Sequence, residues 1–243
     1  MRSARGEQLH AYLDIGTFAA HSVVPESACV RVPAEVPFEV ACLIGCGVTT
    51  GVGAVVNTAR VPAGAAVAVI GCGGVGLSVL MGARLAGANP IIAIDVEQEK
   101  LDLAVAVGAT HTIRGDGDVP ADVRAIVPDG VDYAFEAIGL VPTVELMPAL
   151  LARGGTAVLV GMTPEGERAS FDVFTAVEWN WSILGSNYGS AVAAIDFPRI
   201  AGLYLDGRLP IDRLITHRIG LDEIDDAFDA MRRRERARSV VLY

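Results

Sequence analysis

Ala66-Val67-Ala68-Val69-Ile70-Gly71-Cys72-Gly73-Gly74-Val75-Gly76 sets a run of small and branched apolar residues directly before a GxGxxG turn, and the residues from Gly74 to Ala86 that follow are helical in composition. A short, wholly apolar run reads as a strand buried on both faces. Strand, glycine turn and helix together are the context that the motif requires. Gly71 permits the tight turn, Gly73 lets a backbone approach a pyrophosphate, and Gly76 lets the helix pack close to the sheet. Gly74 and Val75 lie at the helix start, where unpaired N–H groups and the positive end of the helix dipole favour an anion.

Working outward, Ile91-Ile92-Ala93-Ile94 is the next strand, and Asp95 stands at its C-terminal end, 19 residues after Gly76. A carboxylate there accepts both ribose hydroxyls of an adenosine and repels a 2′-phosphate, which favours NAD(H) over NADP. Its competing reading is a cap for the helix over Glu97 to Val107. Lys100 either flanks the adenosine or is a solvated helix lysine. Further strands are expected at Thr110–Ile113, Tyr133–Ile138, Thr156–Val160 and Trp181–Leu184, with helices at Ala121–Ile126 and Thr143–Leu151 between them. Six strands alternating with helices predict an α/β fold with a doubly wound parallel sheet. Upstream, 17–32 reads as extended and Phe38–Ala59 as helical; downstream, Ile224–Met231 is an amphipathic helix and Ser239–Tyr243 a strand.

The chain has 243 residues, 52% of them apolar and 20% charged, the composition of a folded globular protein rather than a disordered regulator. Its formal net charge of -10 repels phosphate backbones, so nucleic acid is not an expected partner. Arg232, Arg233, Arg234, Arg236 and Arg238 are the exception, and helical spacing scatters most of them over a solvated face. Cys29, Cys42, Cys46 and Cys72 include no CxxC pair, which argues against a disulfide framework and for a reducing, cytoplasmic setting. Ala65 to Ala83 is uncharged over 19 residues, but its five glycines read as a strand turning into a helix, not a membrane span.

A second constellation, Gly45-Cys46-Gly47-Val48-Thr49-Thr50-Gly51, joins Cys42-Leu43-Ile44, Gly73-Gly74-Val75-Gly76-Leu77-Ser78, Ile94-Asp95, Phe135-Glu136-Ala137-Ile138-Gly139 and the ending Arg238-Ser239-Val240. On these residues the chain resembles the zinc-dependent medium-chain alcohol dehydrogenases, including the glutathione-dependent formaldehyde dehydrogenase branch. The resemblance implies that Cys46 is one ligand of a catalytic zinc and that Thr50 contacts the nicotinamide. It implies NAD contacts at Val75, Asp95, Lys100, Val160, Gly161 and Arg238, the last reaching the pyrophosphate. A thiolate is a good zinc ligand, and zinc polarises an alcohol or carbonyl oxygen for hydride transfer. Without the resemblance, Cys46 reads as a small buried hydrophobe.

The other zinc ligands, the proton relay and the structural-zinc cysteines of that family have no counterpart in this sequence, which therefore reads as an N-terminally truncated member. The expected layout is a catalytic-domain remnant over 1–47, a Rossmann domain over 48–187, and a return to the catalytic domain over 188–243. The flanks would form an incomplete GroES-like unit that exposes apolar surface. Three functions compete: NAD-dependent oxidation of a primary alcohol or reduction of an aldehyde, a catalytically silent NAD-binding remnant, and a zinc-free reductase. The resemblance also implies a homo-oligomer, dimer or tetramer, paired edge to edge near Trp181–Ser186.

Overall fold

The computed structural model describes residues 6–8, 16–233 and 238–243. In chain order the elements are α1 (Phe38–Ala59), β1 (Val67–Ile70), α2 (Gly74–Ala86), β2 (Ile91–Asp95), α3 (Gln98–Val107), β3 (His111–Arg114), α4 (Val119–Ile126), β4 (Val131–Glu136), α5 (Val141–Leu150) and β5 (Leu151–Leu159). They continue with α6 (Val173–Glu178), β6 (Ser182–Gly185), α7 (Ala193–Leu205), β7 (His217–Ile219), α8 (Ile224–Arg232) and β8 (Ser239–Val241). β1 to β6 form one parallel sheet in the order β3-β2-β1-β4-β5-β6, the doubly wound arrangement expected.

Each central strand divides its side chains between two cores with the period of two that a pleated strand imposes. Val67 and Val69 of β1 and Ile91 and Ala93 of β2 face the layer that holds α1, α2 and α3. Ala68 and Ile70, with Ile92 and Ile94, face the layer of α4 and α5. Both faces are covered, so the apolar runs show no polar alternation. The strand order reverses between β1 and β4, and the open crevice lies beyond their carboxyl ends.

The stretch 65–83 resolves into β1 and α2. Among the described residues, the one helix long and apolar enough to cross a membrane by length and composition is instead α1, and 67% of its most apolar window is buried inside the fold. Val40, Ile44, Val48, Val52 and Val55 put that face into the first core. Each such side chain, fully buried, contributes about 1.5–3 kcal/mol before conformational entropy is counted.

Several expectations are corrected. Residues 17–32 hold no strand; they run as irregular chain with one 3-10 turn at Glu26–Ala28, because no other strand among the described residues lies alongside to complete a ladder. β7 was not expected, since three residues with no apolar alternation carry no signal; it exists by pairing with β8 in parallel. The arginine expectation is not among the corrections: Arg232, at the end of α8, is exposed and pairs with Asp229, and Arg238 lies apart from it, at the glycine turn. Arg234 and Arg236 lie outside the described residues. The flanks are tied in by Glu39 accepting two bonds from Arg218, at 2.7 and 2.9 Å, and by Phe18 packed edge-on against Phe228. Val23 and Phe38 remain almost wholly exposed.

Candidate dinucleotide site

The glycine turn is built as its residues require. Gly71 takes φ +94°, and its N–H donates to the Ile94 carbonyl at 2.8 Å, which ties the turn to the end of β2. Gly73 is the N-cap of α2, and no side chain caps this helix, so its first N–H groups face the crevice. A Cβ at Gly73 would meet nothing within 4 Å, which leaves the backbone open to a ligand. A Cβ at Gly76 would lie 1.7 Å from the Gly71 carbonyl oxygen. Helix and turn are in backbone contact, and only glycine fits.

Arg238 sits on this helix start. A Cβ at Gly74 would lie 2.3 Å from its Nη2 and one at Gly47 2.9 Å from the same atom, so the guanidinium fills space that both glycines leave open. Its backbone is fixed by bonds with Thr216 at 3.0 and 3.1 Å. Its Nε is buried and has no hydrogen-bond partner among the described residues. A buried donor left unpaired is costly, and a cation beside the positive end of a helix is doubly so. An anion lying over the turn relieves both, and a pyrophosphate has the charge and acceptor oxygens to do it.

Next to the turn, beyond the ends of β1, β2 and β4, is a cavity of about 520 Å³ lined by Gly71, Gly73, Asp95, Lys100, Ile138 and Met231, among others. Asp95 Oδ2 accepts from the Cys72 N–H at 2.7 Å and Oδ1 from the Glu97 N–H at 3.0 Å. Asp95 is therefore not the N-cap of α3, which is Glu97. Two acceptor positions of the carboxylate remain for ribose hydroxyls. Lys100, half-buried, lines the same cavity.

Three features of the cavity had no reading in the sequence. Ile138 lies so close to Gly71 that a Cβ there would be 2.4 Å from its Cγ1, and it forms an apolar wall fit for a base. Its loop is shaped by the fully buried Glu136, which accepts from Ile138 N–H at 3.0 Å, Gly139 N–H at 2.9 Å and Thr143 Oγ1 at 2.8 Å. Met231 arrives from α8, whose amphipathic pattern signalled burial but not its target.

At the other side, Val160 and Gly161 follow β5, and both N–H groups donate to the Glu136 carbonyl at 2.9 Å. Thr50 and Cys46 lie on α1, which crosses α2 at Gly51, where a Cβ would be 2.5 Å from Ser78 Cβ. That crossing sets α1 against the first turn of α2, with Gly47 beside Arg238. Val75, on that first turn, is half-buried.

The residues present fit a dinucleotide: an uncapped helix, a glycine cradle, an unpartnered guanidinium donor and a carboxylate at the next strand tip. They do not fit a catalytic zinc. Cys46 is exposed, and among the described residues no three His, Cys, Asp or Glu side chains cluster as metal ligands.

Cys72, buried within the turn, has its thiol pushed up to about 12, chiefly by burial and then by the Asp95 charge. In the unfolded chain it ionises near 9, so stability is fully present below that pH and falls as pH rises toward 12. Urea unfolding at rising pH is expected to show this alkaline loss, and Cys72→Ala to flatten it relative to the parent chain.

A doubly wound sheet with a glycine turn and anion-seeking helix at its first crossover defines the dinucleotide-binding class of α/β folds. The chain belongs to the zinc-binding dehydrogenase family, whose model matches residues 74–204. It is 38% identical to an S-(hydroxymethyl)glutathione dehydrogenase of Paracoccus denitrificans over 98% of its length, and it spans 66% of that relative. Its structure is similar to that of an alcohol dehydrogenase zinc-binding domain protein from Burkholderia ambifaria, with TM-score 0.92, 36% identity, and coverage of 99% of this chain and 65% of that one. A zinc-binding dehydrogenase from Sinorhizobium meliloti 1021, solved bound to NADP, superposes with TM-score 0.77 at 33% identity, over 87% of this chain and 61% of that one.

Proposed function

We propose that this chain carries the NAD(H) site of a dehydrogenase that interconverts a primary alcohol and its aldehyde. The observation that carries the reading is Arg238, its buried Nε unpaired, lying on the uncapped start of α2 with Asp95 at the neighbouring strand tip. Gly71, Gly73, Gly74, Val75, Gly76 and Arg238 would hold the pyrophosphate. Asp95 and Lys100 would hold the adenosine, with Ile138 and Met231 against the base. Thr50, Val160 and Gly161 would frame the nicotinamide, which supplies the hydride carrier when bound. Cys46 would stand at the reaction site as a single exposed thiol, since no cluster of metal ligands forms among the described residues. Proposed with this are the division at 48–187, pairing of copies along β6, which ends the sheet among the described residues, and a cytoplasmic setting.

The test is a fluorescence titration of the purified chain with NADH, with zinc measured on the same sample. Saturable binding is expected; its absence overturns the reading. Bound NADH without stoichiometric zinc would favour a chain that binds cofactor without completing the metal site. One tightly held zinc would mean that another copy supplies ligands.

Asp95→Ala is expected to weaken NADH binding by about tenfold, as two charge-assisted bonds are lost, and to narrow the discrimination against NADPH. Calorimetric titrations with both cofactors check this. An unchanged preference would remove Asp95 from the site.

A further inference from the structure

α1 is not a regular helix. Ile44–Val48 is a π-helical turn, the wider winding that accumulates at functional positions, and Cys46 stands exposed at its centre. Widening a turn displaces carbonyls from their ordinary helical donors, and two carbonyls at the start of this one are met by hydroxyls instead. Thr49 Oγ1 donates to the Ile44 carbonyl at 2.6 Å. Tyr188 OH, from the loop after β6, donates to the Gly45 carbonyl.

The loop that delivers Tyr188 is held in an uncommon conformation. Tyr188, Gly189 and Ser190 all have positive φ, at 55°, 63° and 50°. Non-glycine residues adopt that region only where their surroundings impose it. The surroundings here are α1 itself. Gly189 packs so closely that a Cβ would lie 2.5 Å from the Thr49 carbonyl oxygen, and its own carbonyl accepts from Asn57 Nδ2 at 3.2 Å. Thr58 Oγ1 lies 2.9 Å from Ser186 Oγ and 2.7 Å from Ser190 Oγ. The clamp runs along one side of α1 and ends on the residue before Cys46.

The geometry points to Tyr188 as a positioning residue that keeps the π-turn open and so sets how the exposed Cys46 thiol is presented; this rests on the reading above, in which Cys46 belongs to the reaction site. Gly45 and Gly47 on either side of Cys46 give the turn no stiffness of its own. The hydroxyl supplies from outside the restraint that the local sequence lacks.

Tyr188→Phe keeps the ring and removes only the donor. The wild-type and variant chains are alkylated with iodoacetamide at one pH, and the labelling rates of Cys46, Cys42 and Cys29 are resolved by peptide mass spectrometry. Losing one such hydrogen bond is expected to speed Cys46 labelling by about fivefold while Cys29 and Cys42 stay unchanged. Amide hydrogen exchange over 45–49 is expected to rise by a similar factor. Equal Cys46 rates in the two chains would overturn the proposal, as would a common rise at all three cysteines, which is what general loosening or misfolding produces. NADH titration of the same samples separates the two readings. A wild-type chain that fails to bind NADH sinks the dehydrogenase assignment whatever Cys46 does, and a selective Cys46 change with normal binding supports both.

Discussion

Gly76→Ala lowers the stability of this fold by about 3 kcal/mol or more, which for a chain of this size is roughly 10 °C in unfolding midpoint. The added methyl would stand 1.7 Å from the Gly71 carbonyl oxygen and 2.9 Å from its carbon, and both belong to backbone. No rotamer change relieves such a contact. Either α2 lifts from the sheet, giving up packing of the fully buried Leu77 and Leu80, or the turn after β1 opens and breaks the Gly71-to-Ile94 bond. Gly73→Ala is the control. Its methyl enters open space and its backbone, at φ -75°, suits any residue, so the midpoint is expected to hold within a few degrees. NADH binding should still fall in that variant, because the methyl occupies the space through which a pyrophosphate approaches. Thermal unfolding and NADH titration of both variants check the pair, and a Gly76→Ala chain as stable as its parent would refute the packing argument.

Arg238→Met separates binding from stability in the opposite direction. Loss of a charge-assisted donor to a diphosphate is expected to weaken NADH binding by about 10- to 100-fold. The chain without ligand is expected to lose no stability and to gain a little, since an unpaired buried N–H and a cation set against the positive end of α2 both disappear. Methionine retains most of the side-chain volume between Gly47 and Gly74, and the backbone bonds to Thr216 are untouched. Chemical unfolding with and without NADH reads both quantities. Unchanged affinity would place the pyrophosphate elsewhere, and a large loss of stability would make Arg238 a structural residue.

The sheet was legible because its central strands are buried on both faces, so β1 and β2 announce themselves as apolar runs on either side of the glycine turn and its helix. The glycine turn was legible because each glycine answers a local steric demand. The extended reading of 17–32 failed because a strand is defined by its neighbour, and the residues themselves carry no record of whether one is present. β7 escaped for the same reason in reverse, as His217-Arg218-Ile219 becomes a strand only beside β8.

Local sequence, then, determined which segments coil and which extend, where the chain turns, and which of its residues are fit to bind an anion or a ribose. Those properties rest on backbone sterics and hydrophobic period, which act over a few residues. Only the tertiary structure decided that Met231 and Ile138 wall the cavity beside Asp95, that Arg238 fills the space left by both Gly47 and Gly74, and that Tyr188 reaches Gly45 across 143 positions of chain. Such contacts depend on how the helices stack on the sheet, and helix stacking is fixed by shape complementarity between distant surfaces, which no window of the sequence contains.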